Sequence, residues 1–422
     1  MSRPLIRFLV ALSALLLATA AGAQTTVIIN PGGGGTPINP KPILIISQSA
    51  TSLDSIADQN GDGLRDLIAG DSDNDVVRLL SGRNGALLNT ITSVATTRFG
   101  HDVANFQDLD GDGLEDLLVT APDFGGVGRA YIFSSATGAL LRGWGATTAG
   151  TSTIYGTTIS RAGDLNGDGI EEVLVGDPLF VPAAGGFISH VGLVEVVDVS
   201  GAPTVIGALT GTIDYEQMGD SVANLGDVDG DFVDDFAVGA TRFFAPGGVV
   251  CQPFNLPGIV RVYSGSTLAL ISSTVGTGPG DTFGISVDRG NFDLDAATEW
   301  VAGAPDLCQA TTPYTLAETG VTALSPADPS LHFGWAVSGI GNAVGANYDE
   351  YVVGAPSVFG GIGLSGRAML INGRNGNVIN TFSPAGAGLR YGLDVTELYV
   401  AGGFNYFAVA DPDSNRIYVY GW

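Results

Sequence analysis

The stretch DLDGDGLEDLLVT, residues 108–120, crowds Asp108, Asp110, Asp112, Glu115 and Asp116 into a tight turn and then runs on as apolar strand. Carboxylates this close repel and raise one another's pKa, so the arrangement calls for a positive partner. The stretch recurs. DQNGDGLRDLIAG starts at Asp58, DLNGDGIEEVLVG at Asp164 and DVDGDFVDDFAVG at Asp227. A weaker copy, NFDLDAATEWVAG, starts at Asn291; NYDEYVVGAP from Asn347 and FNYFAVADP from Phe404 keep the strand but have lost the alternating acids.

A second marker precedes most copies: an aromatic residue or Met followed by Gly, at Phe99, Tyr155, Met218, Phe283, Phe333 and Tyr391. Each repeat then reads as strand, acidic turn, buried strand, third strand (RAYIFSS from Arg129, IVRVYSG from Ile259, RAMLING from Arg367), small turn and fourth strand. Four strands in roughly 50–65 residues is the size of a propeller blade. The second strand, Leu117–Leu118–Val119 in the quoted copy, is apolar on both faces, as a blade packed between neighbours requires. The fold class expected is all-β: a seven-bladed β-propeller of four-stranded blades over residues 42–422. The last repeat ends at its third strand, RIYVYGW from Arg416, and PILIISQS, residues 42–49, stands before the first repeat without one of its own. That N-terminal strand is expected to complete the last blade and close the ring, which removes an open edge. The third and fourth strands of the fifth repeat, within residues 314–326, are not readable.

The acidic turn spans nine positions, with acids or amides at 1, 3, 5 and 9, a glycine bend at 6 and a backbone carbonyl offered at 7. The expected metal ligands are Asp58, Asn60, Asp62, Leu64 and Asp66; Asp108, Asp110, Asp112, Leu114 and Asp116; Asp164, Asn166, Asp168, Ile170 and Glu172; and Asp227, Asp229, Asp231, Val233 and Asp235. Alternate positions around a turn converge their oxygens, which suits a hard cation taking six to eight oxygen ligands, and Ca²⁺ fits best. An EF-hand is excluded, because position 12 is Val119, Ala69, Val175 or Val238 inside a strand. The fourth turn has Phe232 where Gly is wanted, so its bend is expected to be strained. A weaker fifth site would use Asn291, Asp293, Asp295 and Glu299.

Composition narrows the functions. Against 43 acidic residues stand 17 basic ones, so nucleic acid and anionic membrane surfaces are poor partners. Residues 1–23 read as a signal peptide: Arg3 and Arg7, an apolar run from Phe8 to Leu17, and Ala21-Gly22-Ala23 before cleavage at Gln24. Residues 24–41, rich in Gly and Pro, read as a linker. The mature protein is expected to be a monomer, periplasmic, secreted or at the cell surface. In an oxidising compartment Cys251 and Cys308 are expected to form a disulfide.

The alternation of FG (Phe99, Phe333), the acidic turn and GAP (residues 303–305 and 354–356) resembles the FG-GAP repeat of the integrin alpha-subunit β-propeller and of bacterial secreted relatives. The resemblance implies seven blades, with structural Ca²⁺ in some first-to-second-strand turns on one face. It also implies a partner surface on the opposite face. There the connections 178–191, 241–258 and 305–320 are long, which marks them as binding candidates. His101, His190 and His332 have no catalytic constellation around them, and PGGGG at Pro31 lacks the context of a phosphate loop. The reading is therefore a Ca²⁺-binding module for a protein or glycan ligand. Alternatives are a hydrolase or lyase on polysaccharide or phosphoester, and a purely structural surface module.

Overall fold

The computed structural model describes residues 26–27, 41–93, 97–123, 126–151, 154–183, 190–242, 256–276, 278, 280–292, 298–305, 314–317, 332–342, 349–357, 365–402 and 404–422. It is an all-β propeller whose sheets follow one another along the chain and pair antiparallel within themselves. Sheet one comprises Ser52–Ile56, Asp66–Asp71, Val76–Leu80 and Leu87–Thr92. Sheet two comprises Val103–Phe106, Asp116–Ala121, Arg129–Phe133 and Leu140–Trp144. Sheet three comprises Thr158–Gly163, Glu172–Asp177, Leu193–Asp198 and Thr204–Thr210. Sheet four comprises Met218–Gly226, Asp235–Ala240, Ile259–Tyr263 and Leu270–Val275.

Sheet six comprises Ala336–Gly339, Glu350–Ala355, Arg367–Asn372 and Val378–Phe382. Sheet seven comprises Val395–Ala401, Phe404–Asp411 and Arg416–Gly421, and continues into Leu44–Ile46 and Thr26–Val27. Six sheets thus have four or more strands, one fewer than the expected seven. Sheet five has three, Val287–Gly290, Glu299–Ala304 and Tyr314–Ala317, among the described residues, and Gly150–Thr151 pairs with Val181–Pro182 in a separate two-stranded ribbon. Sheet five is the repeat whose outer strands could not be read, and its sequence beyond Ala317 lacks the alternation that marks the other fourth strands. Leu44–Ile46 pairs antiparallel with the last strand, Leu44 opposite Val419 and Ile46 opposite Ile417. Thr26–Val27, inside the expected linker, adds a short rung beyond it.

The second strands of sheets one to six are buried from end to end. Their two faces supply the apolar layers between sheets. Leu118, Ile132 and Trp144 of sheet two meet Val173, Val175 and Val197 of sheet three around the buried Tyr155. Outer strands alternate exposed and half-buried, as in Thr204–Thr210.

The aromatic-Gly pair and the glycine of the second strand turn out to be two halves of one contact. A Cβ on Gly303 of sheet five would lie 1.8 Å from the carbonyl oxygen of Gly334, which leads into sheet six, and Gly239 stands 1.9 Å from Gly284 in the same sense. Gly334 itself has φ +93°, a region in which residues with a Cβ are strained. The motif therefore lets neighbouring sheets touch backbone to backbone.

Candidate metal turns and the inner collar

The four acidic turns are built alike, because the same short-range hydrogen bonds fold each one. In the second turn Asp108 Oδ1 accepts from the N–H groups of Gly111 (2.7 Å) and Asp112 (3.1 Å), and Oδ2 from Gly113 (2.8 Å). Asp110 Oδ1 accepts from Asp112 N–H at 3.2 Å and Asp112 Oδ1 from Leu114 N–H at 2.9 Å. Asp58, Asp164 and Asp227 do the same in their turns. These are Asx-type bonds, which fix the turn before any ligand arrives. The Gly63 N–H holds the Asp58 carboxyl below its ordinary range.

The ninth position behaves differently. Asp66, Asp116, Glu172 and Asp235 begin the second strand and are fully buried. Each takes an N–H from the residue after position 1: Gln59, Leu109, Leu165 and Val228, at 2.6–2.8 Å. Burial pushes Asp116 up to about 6 and Glu172 to about 7, and raises Asp66 and Asp235. Asp116 Oδ1 is buried without a hydrogen bond of normal geometry. Asp66 and Asp235 spend that second oxygen on the N–H groups of Gly82 and Gly265, both at 3.0 Å.

Carboxylate oxygens of Asp108, Asp110 and Asp116 lie within 4.8 Å of one another, and so do those of Asp227, Asp229 and Asp235. In the first and third turns an amide, Asn60 or Asn166, stands at position 3, and its Nδ2 donates to Asp66 or Glu172 at 3.3 and 2.5 Å. An ion entering either turn has to rotate that amide. Position 5 is partly diverted: Asp62 Oδ2 accepts from the Ser81 hydroxyl at 3.1 Å, with Arg83 beside it, and Asp231 Oδ2 from Ser266 at 2.5 Å. The donor set is all oxygen and fits a hard divalent cation. Phe232 holds φ +72° and its ring is 95% exposed, so the strained bend expected of the fourth turn is present. Of the fifth set, Asn291 and Glu299 are placed, while Asp293 and Asp295 lie outside the described residues. Cys251, Cys308 and most of the long connections also lie outside them.

Sequence reading missed a second set of acids. The first strands of all the sheets surround a central cavity of about 460 Å³. Four aspartates there make one contact repeatedly. Each takes the N–H of its own successor on Oδ1 and an N–H of the next sheet on Oδ2. Asp394 holds Val395 (2.9 Å) and Leu53 (2.7 Å); Asp54 holds Ser55 (2.7 Å) and Asn105 (2.8 Å). Asp102 holds Val103 (3.0 Å) and Ile159 (2.8 Å); Asp288 holds Arg289 (2.8 Å) and Gly339 (2.9 Å). A first strand is a sheet edge with unpaired N–H groups, and these carboxyls occupy them. The available signal was slight: an Asp following aromatic-Gly-x at Asp102 and Asp394. Of the histidines, His101 faces the same cavity, and burial beside Arg98 lowers it to about 3. His332 Nδ1 lies 3.1 Å from the Pro356 carbonyl.

Residues 108–175, which contain the second and third turns, match the FG-GAP-like repeat family model. Among curated proteins the chain is similar to integrin alpha-IIb of Homo sapiens, 36% identical over 154 residues, or 34% of this chain and 13% of that one. It is 34% identical to integrin alpha-5 of Xenopus laevis over 148 residues, covering 34% and 14%, and 29% identical to integrin alpha-4 of the same species over 139 residues, covering 28% and 13%. The matched stretch thus spans about an eighth of these relatives' length. In fold, the chain superposes on one in the crystal structure of a mitotic checkpoint complex, with TM-score 0.58 and 10% identity, over 93% of this chain and 97% of that one. No helix among the described residues is long and apolar enough to cross a membrane. With its repeated turns, aromatic-Gly seams and blade-like sheets, the chain is a β-propeller that carries an FG-GAP-like repeat at residues 108–175 and resembles the N-terminal domain of integrin alpha subunits.

Proposed function

We propose that this is an exported, Ca²⁺-stabilised seven-bladed propeller that recognises a protein or glycan ligand. Sheet five counts as the fifth blade, and Leu44–Ile46 closes the ring as the outer strand of the seventh. Ca²⁺ occupies the four acidic turns, through the residues at positions 1, 3, 5 and 9 and the carbonyl at position 7, and stiffens one face. The ligand binds the opposite face, where the long connections of the third to fifth blades emerge and a Cys251–Cys308 bridge would tie two of them. The observation that carries the reading is the convergence of carboxylates within 4.8 Å in turns of a fold shared with integrin-like relatives.

The ions would be structural: they neutralise acids that the second strands bury, and they take no part in a reaction. The test is a protein pull-down and a glycan array with the mature chain, each with and without chelator. Calcium-dependent capture that is lost on shortening 241–258 supports the reading. Capture that survives that change, or no capture in either assay, contradicts it.

A further inference from the structure

The four acidic turns are unequal, and the difference lies at position 3. In the second and fourth turns that residue is Asp110 or Asp229, with its carboxylate within 4.8 Å of the position-9 carboxylate, Asp116 or Asp235. In the first and third it is Asn60 or Asn166. Each amide is held at both ends. Its Oδ1 accepts an N–H, from Asp62 at 3.0 Å or Asp168 at 2.9 Å, and its Nδ2 donates to Asp66 or Glu172. The amide thus supplies, between positions 3 and 9, the donor that a pair of carboxylates cannot. Resting on the reading that these turns hold Ca²⁺, we propose that they load in two classes. The second and fourth turns fill first, the first and third fill at higher Ca²⁺, and Asn60 and Asn166 set the gap.

Charge and hydrogen bonding act in the same direction. Positions 1, 3, 5 and 9 carry four carboxylates in the second and fourth turns and three in the first and third. Ligand charge and site rigidity are what tune the affinity of an oxygen site for Ca²⁺. In the second turn Asp116 is fully buried, and its Oδ1 lacks a hydrogen bond of normal geometry. In the first turn an ion must break the Asn60–Asp66 bond and turn the amide over to present Oδ1. The Asp62 N–H is not orphaned by that rotation, because it also donates to Asp58 Oδ1 at 3.1 Å, and the Asp168 N–H keeps Asp164 Oδ1 at the same distance. The cost is one hydrogen bond to a charged acceptor, equivalent to a factor of about ten or more in affinity. Arg83, 3.7 Å from Asp62, opposes an ion in the first turn as well. Position 5 does not sort the turns in this way, because its hydroxyl partners, Ser81 and Ser266, fall in one turn of each class.

The experiment is calorimetric titration of Ca²⁺ into the chelator-stripped mature chain, as wild type and as the Asn60→Asp, Asn166→Asp double variant. The wild type should bind in two phases of about two ions each, with dissociation constants about tenfold or more apart. The double variant should take up about four ions in the tight phase. Asp116→Asn should remove an ion from the tight phase and Glu172→Gln one from the weak phase. Four equivalent sites in the wild type, a weak phase that survives in the double variant, or the reverse assignment of Asp116 and Glu172 overturns the two classes and leaves the metal turns standing. No uptake at all overturns the metal turns, and the two classes with them. If the double variant does not fold, side-chain amide NMR of the wild type decides. The Asn60 and Asn166 amide signals should hold still through the first phase and move in the second; movement in the first phase overturns the proposal.

Discussion

The molecule uses aspartate in two places with opposite logic. At the hairpin turns, acids alternate along one short loop and crowd together, with carboxylate oxygens of three of them within 4.8 Å of one another in the second and fourth turns. In the collar, one aspartate on each of four sheets points at the next sheet, and both oxygens are spent on backbone N–H groups. The first arrangement is the one that we propose a cation completes. The second satisfies an edge strand from within. Carboxyls are raised in both, so a raised carboxyl does not identify a metal site; the clustering of several acids around one turn is what sets the hairpins apart.

Removing divalent ions separates the two most strongly. Ions that bind only the folded chain stabilise it by about 2.7 kcal/mol per site at a hundredfold excess over Kd. Stripping several sites should therefore lower Tm well beyond any single substitution, as calorimetry with and without chelator would show. A Tm that ignores the chelator would place the turns with the collar as self-sufficient structures.

The seam beneath the collar should tolerate no added atom. Gly303→Ala sets a Cβ against a backbone oxygen and is expected to cost about 3 kcal/mol, read from denaturant unfolding. A neutral result would mean that the sheets approach less closely than described. Within the turns, Asp116→Asn should remove one ion, with a loss of up to about 2.7 kcal/mol at a hundredfold excess. Asp54→Asn in the collar should leave the ion count unchanged, and both are read by calcium titration. The smallest effect is a gain: Phe232→Gly relieves a left-handed bend and should stabilise by about 1 kcal/mol, with a matching rise in affinity at the fourth turn.

The turns were legible because acids at every second position around a glycine have few structural uses. Their copies also fixed the repeat, and with it the blade-like sheets. Phe232 was legible as a strained bend for the same reason. The collar was hidden because its acids occur on only four of the sheets and in two registers, Asp102 and Asp394 in one, Asp54 and Asp288 two residues further along. Each partner is a backbone group on another sheet, which leaves no mark in sequence. The second-strand glycines were readable only as a family signature; the carbonyl at 1.8 Å from a would-be Cβ gives their reason. Sheet five was unreadable because neither its turn nor its outer strands keep the pattern.

The central claim is that the hairpin acids are cation cages. Calorimetric titration of calcium into chelator-stripped mature protein tests it most directly. The account predicts about four ions per chain, falling by one in Asp116→Asn. A wild-type protein that takes up no calcium at millimolar concentration would contradict it.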